Sequence, residues 1–371
     1  MKNSKLYSLI LIFAVALLSI QCTTDPIPGP PGEDGIDGID GIDGVDGTAE
    51  CAACHNVAKS EEVHASYMMS GHFRENMDHG GGPLSEYANR SFGGTSSCAA
   101  CHTNDGFIDW AEEGLGSIPF GDPSYPTGTQ TISCTACHGK HTSFDFETDG
   151  KDYALRVIDP VMLIAEEGTT LDYGEKFTNH TCVSCHQPRT TFEGAINDDG
   201  TVLVDGRFGP HYSAQSTLLE GIQGAELDGY TYRATDGTGT HRVGSSCVEC
   251  HMGPSTGNND GLHTTKWTET SCTTCHNDDI PPRDFLKEGF QELEDLLVAE
   301  GIIKFEVDPD TGDEELVIIG TEGNQRINLD LIPAAALWNY KMIYYDHSHG
   351  VHNPNYAKDL IQNSIDALNG N

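Results

Sequence analysis

The pentapeptide Cys-x-x-Cys-His occurs six times in this chain, at Cys51/Cys54/His55, Cys98/Cys101/His102, Cys134/Cys137/His138, Cys182/Cys185/His186, Cys247/Cys250/His251 and Cys272/Cys275/His276. With 13 cysteines and 17 histidines in 371 residues, chance would supply about 0.02 such pentapeptides, so the pattern is built in. Two thiols three positions apart each add across one vinyl group of a haem edge, and the next histidine then reaches the iron. Structural zinc would use paired knuckles or a histidine-terminated ending, and needs no histidine directly after every second cysteine. A thioredoxin-like redox site needs one Cys-x-x-Cys at a helix start, not six among glycine-rich loops. The motifs therefore imply six covalent haem c groups, with Cys51, Cys54, Cys98, Cys101, Cys134, Cys137, Cys182, Cys185, Cys247, Cys250, Cys272 and Cys275 as attachment points. His55, His102, His138, His186, His251 and His276 are the matching proximal iron ligands.

Six flat apolar groups change what the chain needs in order to fold. First cysteines follow one another at intervals of 47, 36, 48, 65 and 25 residues, and the text between them is rich in Gly, Ser, Thr and Asp. No long apolar periodicity runs through residues 51–282, although short helices are expected around Glu61 to Met69 and Val161 to Glu167. The fold class expected is mostly α and irregular, with low secondary-structure content and a core built from haem. Residues 283–371 read differently. Leu286, Phe290, Leu293 and Leu297 stand at helical spacing, and Ile302 to Val307 and Glu315 to Ile319 flank an Asp-Pro-Asp-Thr-Gly hairpin signal. Two further helices are expected at Pro333 to Tyr345 and Pro354 to Leu368, so the tail is a small helical and hairpin extension packing on the haem domain.

The N-terminal text points to export. Lys2 and Lys5 precede an apolar run from Leu6 to Ile20, the layout of a signal peptide over residues 1–21 and too short to be a comfortable permanent span. The thirteenth cysteine, Cys22, follows Leu18-Ser19-Ile20-Gln21, which resembles a lipobox with Gln21 where a small residue is usual. Cys22 is therefore the lipidation candidate, against the plainer reading of a secreted protein with an incidental cysteine. From Gly29 to Gly47 every third residue is glycine, the Gly-X-Y period of a collagen-like run. Asp37, Asp40, Asp43 and Asp46 would repel in a trimer, so residues 22–50 are read as an acidic tether, with a trimerising stalk as the alternative. The chain divides into residues 1–21, 22–50, a hexahaem domain at 51–282 and the tail at 283–371.

Charge narrows the partners. Twenty Lys and Arg against 57 Asp and Glu give a formal charge of −37, which excludes a nucleic-acid binder because no basic stripe exists to neutralise phosphates. It favours redox partner proteins of the cell envelope that present basic surfaces, and association with them should weaken as salt rises.

Each iron has a sixth position, and eleven histidines remain to fill six of them: His64, His72, His79, His141, His180, His211, His241, His263, His347, His349 and His352. Around several of these the chain resembles the multihaem c-type cytochromes, in particular the surface and extracellular electron-transfer members. Tyr67-Met68-Met69-Ser70-Gly71-His72 is similar to their Ser-x-His segment, and Cys137-His138-Gly139-Lys140-His141 to their form with a histidine three residues after the motif. Gly209-Pro210-His211-Tyr212-Ser213, His241 ahead of Cys247, Gly261-Leu262-His263 and Gly350-Val351-His352-Asn353 resemble further distal-ligand segments. The resemblance implies His72, His141, His211, His241, His263 and His352 as distal ligands, with His180 as the first replacement. It also implies an electron carrier without a catalytic residue, tethered to the envelope and able to assemble head to tail into filaments. The alternative is a multihaem oxidoreductase acting on a small nitrogen or sulfur compound at one open haem. Against it, the Lys-ligated variant of the motif is absent, and Arg74, Arg90, Arg189, Arg207, Arg233 and Arg242 are expected to pair with carboxylates or propionates rather than line a substrate pocket.

Overall fold

The computed structural model describes residues 55–73, 99–114, 132–141, 153–176, 178–277, 279–282, 284–309 and 312–370, all within the unit Thr48–Asn371. The signal-like segment, Cys22 and the Gly-X-Y run lie outside the described residues, as do Cys51, Cys54, His79 and Cys98. Helix and irregular chain dominate, and strand is confined to three two-stranded antiparallel ribbons, in keeping with the expected low content of regular structure.

The first helix, α1, spans Val57–Tyr67, starting earlier than its apolar spacing suggests because the Asn56 carboxamide accepts from Lys59 N–H at 2.9 Å and fixes the N-terminus. Helix α2 follows at Asn104–Glu113 behind Thr103, whose hydroxyl caps Gly106 N–H, and it buries Phe107 and Trp110. Val161 to Glu167 is not the helix expected. It forms strand β1 (Val161–Met162), which turns back through Gly168, at φ +94°, onto β2 (Thr170–Leu171). Val161 and Leu163 are buried with Met162 between them only half-buried, a period of two that a four-residue apolar run does not reveal in advance.

The tail follows the expectation closely. Helix α3 (Lys287–Ala299) buries Leu293 and Leu297, and strands β4 (Ile303–Val307) and β5 (Glu314–Ile318) form the hairpin with Ile303 opposite Ile318. Helix α4 (Leu331–Asp346) is apolar on every face and is buried from Ala334 to Ile343, as such a helix must be. Helix α5 (Pro354–Leu368) begins with Pro354 at its first turn and the Asn353 side chain accepting from Tyr356 N–H.

One pairing crosses a long stretch of sequence. Strand β3 (Val202–Asp205) pairs antiparallel with β6 (Arg326–Leu329), Val202 opposite Leu329. Accordingly α3, α4 and α5 share one hydrophobic core with Phe192, Val202, Val204, Phe208, Leu218 and Ala225 from the middle of the chain. Asn339 in α4 ties the two together, accepting from Ala225 N–H at 2.7 Å and donating to Ala225 C=O and Ser364 Oγ. A second, smaller cluster is formed by Phe107, Trp110, Ile132, Val161, Leu163 and Tyr173, and Cys101, Cys185 and Cys247 lie at its edge.

Candidate functional site

The described cysteine motifs lie on or beside short helices: Ala99–His102, Cys134–Cys137, Thr178–Val183, Cys247–His251 and Glu269–His276. Cys247–His251 and Glu269–His276 hold both thiols and the histidine within the helix, where residues i, i+3 and i+4 share a face, whereas His138 follows its helix as an extended cap and Cys185 and His186 lie beyond Val183. Small hydroxyl residues start two of these turns. Ser246 Oγ accepts from Glu249 N–H at 3.1 Å, and Thr268 Oγ1 from Ser271 N–H at 3.2 Å. The turns also approach one another. Cys101 and Cys185 are in hydrogen-bonding contact, as are Cys182 and Cys247. Cys137 feels the Cys182 thiol, and burial pushes Cys137 up to about 12. None of the nine described cysteines is in a disulfide.

The predicted distal histidines meet the motif histidines in pairs. Ring centroids stand 6.2 Å apart for His55 and His141, 6.1 Å for His72 and His186, and 6.3 Å for His138 and His263. The separations are 6.1 Å for His241 and His276 and 6.2 Å for His251 and His352. His211 lies within the electrostatic reach of His102, and both are pressed toward their neutral forms by Arg189 as well as by burial. Five of the six distal candidates thus each stand beside a different motif histidine. Partners come from as near as 35 residues, for His241 and His276, and as far as 125 residues, for His138 and His263.

Burial is the largest cause of the lowered proton affinity of His72, His102, His186, His211, His251 and His263, whereas at His352 burial is outweighed by the Asp346 carboxylate, which holds that ring up. Burial brings His72 and His102 down to about 4 and His211 to about 3, which favours the neutral imidazole that a metal binds. In five rings the remaining nitrogen, Nδ1, faces an acceptor: Tyr153 C=O for His138, Val351 C=O for His241, Thr265 C=O for His251, Gln215 Oε1 for His186 and the buried Asp346 carboxylate for His352. Such partners place the proton on Nδ1 and leave Nε2 as the ligating atom. The rings and thiols line one cavity of about 2640 Å³, well beyond the roughly 300–1,000 Å³ of an ordinary ligand pocket. Among the described residues no three His, Cys, Asp or Glu side chains converge on one point.

His180, the expected replacement ligand, is a satisfied core residue: Nε2 accepts from Tyr173 N–H at 3.0 Å and Nδ1 lies 2.8 Å from Ile158 C=O. His64, His347 and His349 are exposed. Of the arginines, Arg233 pairs with Asp359 and Arg242 with Glu220, as expected, whereas Arg189 meets His211; Arg74 and Arg90 lie outside the described residues. Asp346 and Gln215, which face Nδ1 of His352 and His186, carry no spacing signal, because the fold brings them there.

No protein-family model matches the chain. Among curated proteins it is 24% identical over 334 residues to the C-type polyheme cytochrome OmcC of Geobacter sulfurreducens, covering 73% of this chain and 42% of that protein. It is 25% identical over 332 residues to the C-type polyheme cytochrome OmcB of the same organism, covering 73% and 44%. The chain thus spans less than half the length of these relatives. The crystal structure of the outer cell wall cytochrome OcwA superposes with a TM-score of 0.46 and 17% identity, over 82% of this chain and 50% of that one. Among the described residues, no helix is long and apolar enough to cross a membrane.

Proposed function

We propose that this chain, a multihaem c-type cytochrome, carries electrons along six covalently attached haems, each held between its motif histidine and one of His72, His141, His211, His241, His263 and His352. The observation that carries the reading is the histidine pairing. With an imidazole-to-metal bond on the order of 2 Å and a further ~1.2 Å from nitrogen to ring centre, two rings that hold one metal between them would stand about 6.4 Å apart. Five pairs in the protein stand 6.1 to 6.3 Å apart. The donor set therefore fits the group: motif thiols and histidines on or beside short helices, imidazoles in pairs, and a cavity of matching scale.

When bound, haem supplies a one-electron carrier whose potential follows its axial ligands and surroundings. The chain's own residues do the rest. The cysteines anchor, the histidines close both faces, and the Nδ1 acceptors set ring orientation and basicity. The close approach of the turns bearing Cys101, Cys137, Cys182, Cys185 and Cys247 supports a continuous electron path, because it brings neighbouring attachment sites into contact.

The cellular setting follows from the N-terminal text. Residues 1–21 direct export, Cys22 carries the lipid, and residues 22–50 lift the cytochrome off the envelope toward an outer-surface or extracellular acceptor. The charge of −37 favours basic redox partners, and head-to-tail self-association into filaments is a further arrangement that closed, densely packed sites would serve. The test is an electron paramagnetic resonance spectrum of air-oxidised holoprotein with haem counted on the same sample. Six haems per chain with low-spin signals are expected; fewer than six haems would sink the reading. A second reading, an oxidoreductase working at one open haem, draws on a single contact, that of Arg189 with His211.

A further inference from the structure

Helix α4 is buried from Ala334 to Ile343, and Lys341 lies inside that stretch at 3% exposure. Taking an ammonium out of water is costly unless an anion meets it. Among the described residues no carboxylate stands within ion-pair distance of Lys341. The acidic charge it feels, Asp205, is engaged elsewhere: one oxygen accepts from Arg207 N–H at 2.9 Å and the other lies 3.9 Å from Arg326 Nε. Burial brings Lys341 down to about 8 against the pull of Asp205, so the ammonium is charged at neutral pH.

The fold makes room for this side chain. Its stem runs over Gly209, where any Cβ would meet Lys341 Cε at 3.2 Å and Lys341 Cβ and Cδ at 3.4 Å. Gly209 holds φ +130°, and Thr190 Oγ1 donates to its C=O at 2.9 Å, so the segment facing the lysine is both bare and fixed. Trp338, Lys341 and Tyr345 are spaced to share one face of α4, and all three line the cavity that the motif cysteines line. The ammonium stands 5.4 Å from the centre of the Tyr345 ring. Two aromatic rings with a cation set between them along the helix match a haem, which is a flat apolar ring with propionate carboxylates along one edge.

Resting on the six-haem reading, we infer that Lys341 anchors a haem propionate, with Trp338 and Tyr345 as the apolar wall beside that haem's edge. The contact is an ion pair between ammonium and carboxylate, and no proton or electron is exchanged in forming it. Its consequence is electrical. A carboxylate left bare beside an iron favours the oxidised state, which carries one more positive charge, and Lys341 cancels that pull, so the anchored haem is easier to reduce than it would be alone.

Lys341→Met and Lys341→Gln test this in holoprotein whose haem has been counted. In each, one of the six potentials in a spectroelectrochemical titration is expected to fall by at least a tenfold change in the reduction equilibrium, about 59 mV for one electron. Lys341→Arg keeps the charge and is expected to keep all six potentials near their original values. The anion is identified by redox-difference infrared spectra of protein carrying haem isotope-labelled in its propionate carboxyl groups: the two neutral variants are expected to shift one labelled carboxylate band. Labelled bands that stay in place while an unlabelled carboxylate band moves would show that Lys341 answers Asp205 and would overturn the inference, as would six unchanged potentials with every band in place. Fewer than six haems in the unaltered protein would instead be a failure of the six-haem reading itself.

Discussion

The two halves of the described protein reach order by different means. Around α3, α4 and α5 the chain buries Leu293, Leu297, Leu337, Trp338, Tyr340, Tyr356 and Leu360 completely, in one cluster of ordinary side-chain packing. Around the cysteine motifs the cluster is smaller, thiols lie at its edge, and the rings that ought to fill the middle stand about 6 Å apart around a cavity. One region carries its core in its own residues, while the other shapes a space for something added. The contrast predicts that losing a haem and losing a side chain will damage different parts of the molecule.

The largest effect should come from removing an attachment point. In the double variant Cys134→Ala, Cys137→Ala, haem content is expected to fall by one per chain. Amide exchange over residues 132–141 and 153–176 should then rise on the order of 100-fold, while residues 331–368 keep their protection. Protection lost equally from both regions would end the distinction. The converse substitution is Trp338→Ala, which removes a fully buried ring and the Nε1–H bond to Gln223 C=O at 2.9 Å. Denaturant unfolding is expected to show a loss of about 3–5 kcal/mol with haem content unchanged.

The same division explains how much the sequence reveals. Tail helices and the hairpin were legible because Leu286, Leu293 and Leu297, the all-apolar α4 and the Pro354 start are local patterns that need only their own core. Short flanking segments singled out six candidate distal histidines, but not which motif histidine each would stand beside. His138 pairs with His263 and His251 with His352 through contacts made across the whole fold. Strand β3 gave no hint of β6, 120 residues away, because antiparallel pairing at that range leaves no spacing signal. His180 misled for a related reason: its ring fills a polar gap between Tyr173 N–H and Ile158 C=O, and only coordinates distinguish such a histidine from a ligand.

Asp346 is where the two regions meet. It closes α4 and its buried carboxylate faces His352 Nδ1. Asp346→Asn keeps the shape and removes the charge, so on the six-haem proposal the haem assigned to His251 and His352 should become easier to reduce. A rise of about 60 mV, a tenfold change for one electron, is expected in one of the six potentials in a spectroelectrochemical titration. Six unchanged potentials would show that α4 supports that site by packing alone.

The smallest effect sharpens the contrast most, because it compares like with like. Thr268 caps the turn that carries Cys272, Cys275 and His276, and Asn353 caps α5. A side-chain cap on a helix held only by packing is worth about 0.5–2 kcal/mol, and Asn353→Ala is expected to cost at least that, since its amide also donates to Ala234 C=O at 2.9 Å. On the six-haem proposal this turn is bolted to its cofactor through two thioethers and a metal bond, so its ends are fixed already and little of the cap's contribution remains to be lost. Thr268→Ala should therefore cost less than about 0.5 kcal/mol in the loaded protein, against the ~1 kcal/mol typical of such a cap. Equal losses in the two variants would mean that the cysteine turns owe their order to the chain, and that the cofactor occupies a frame already built.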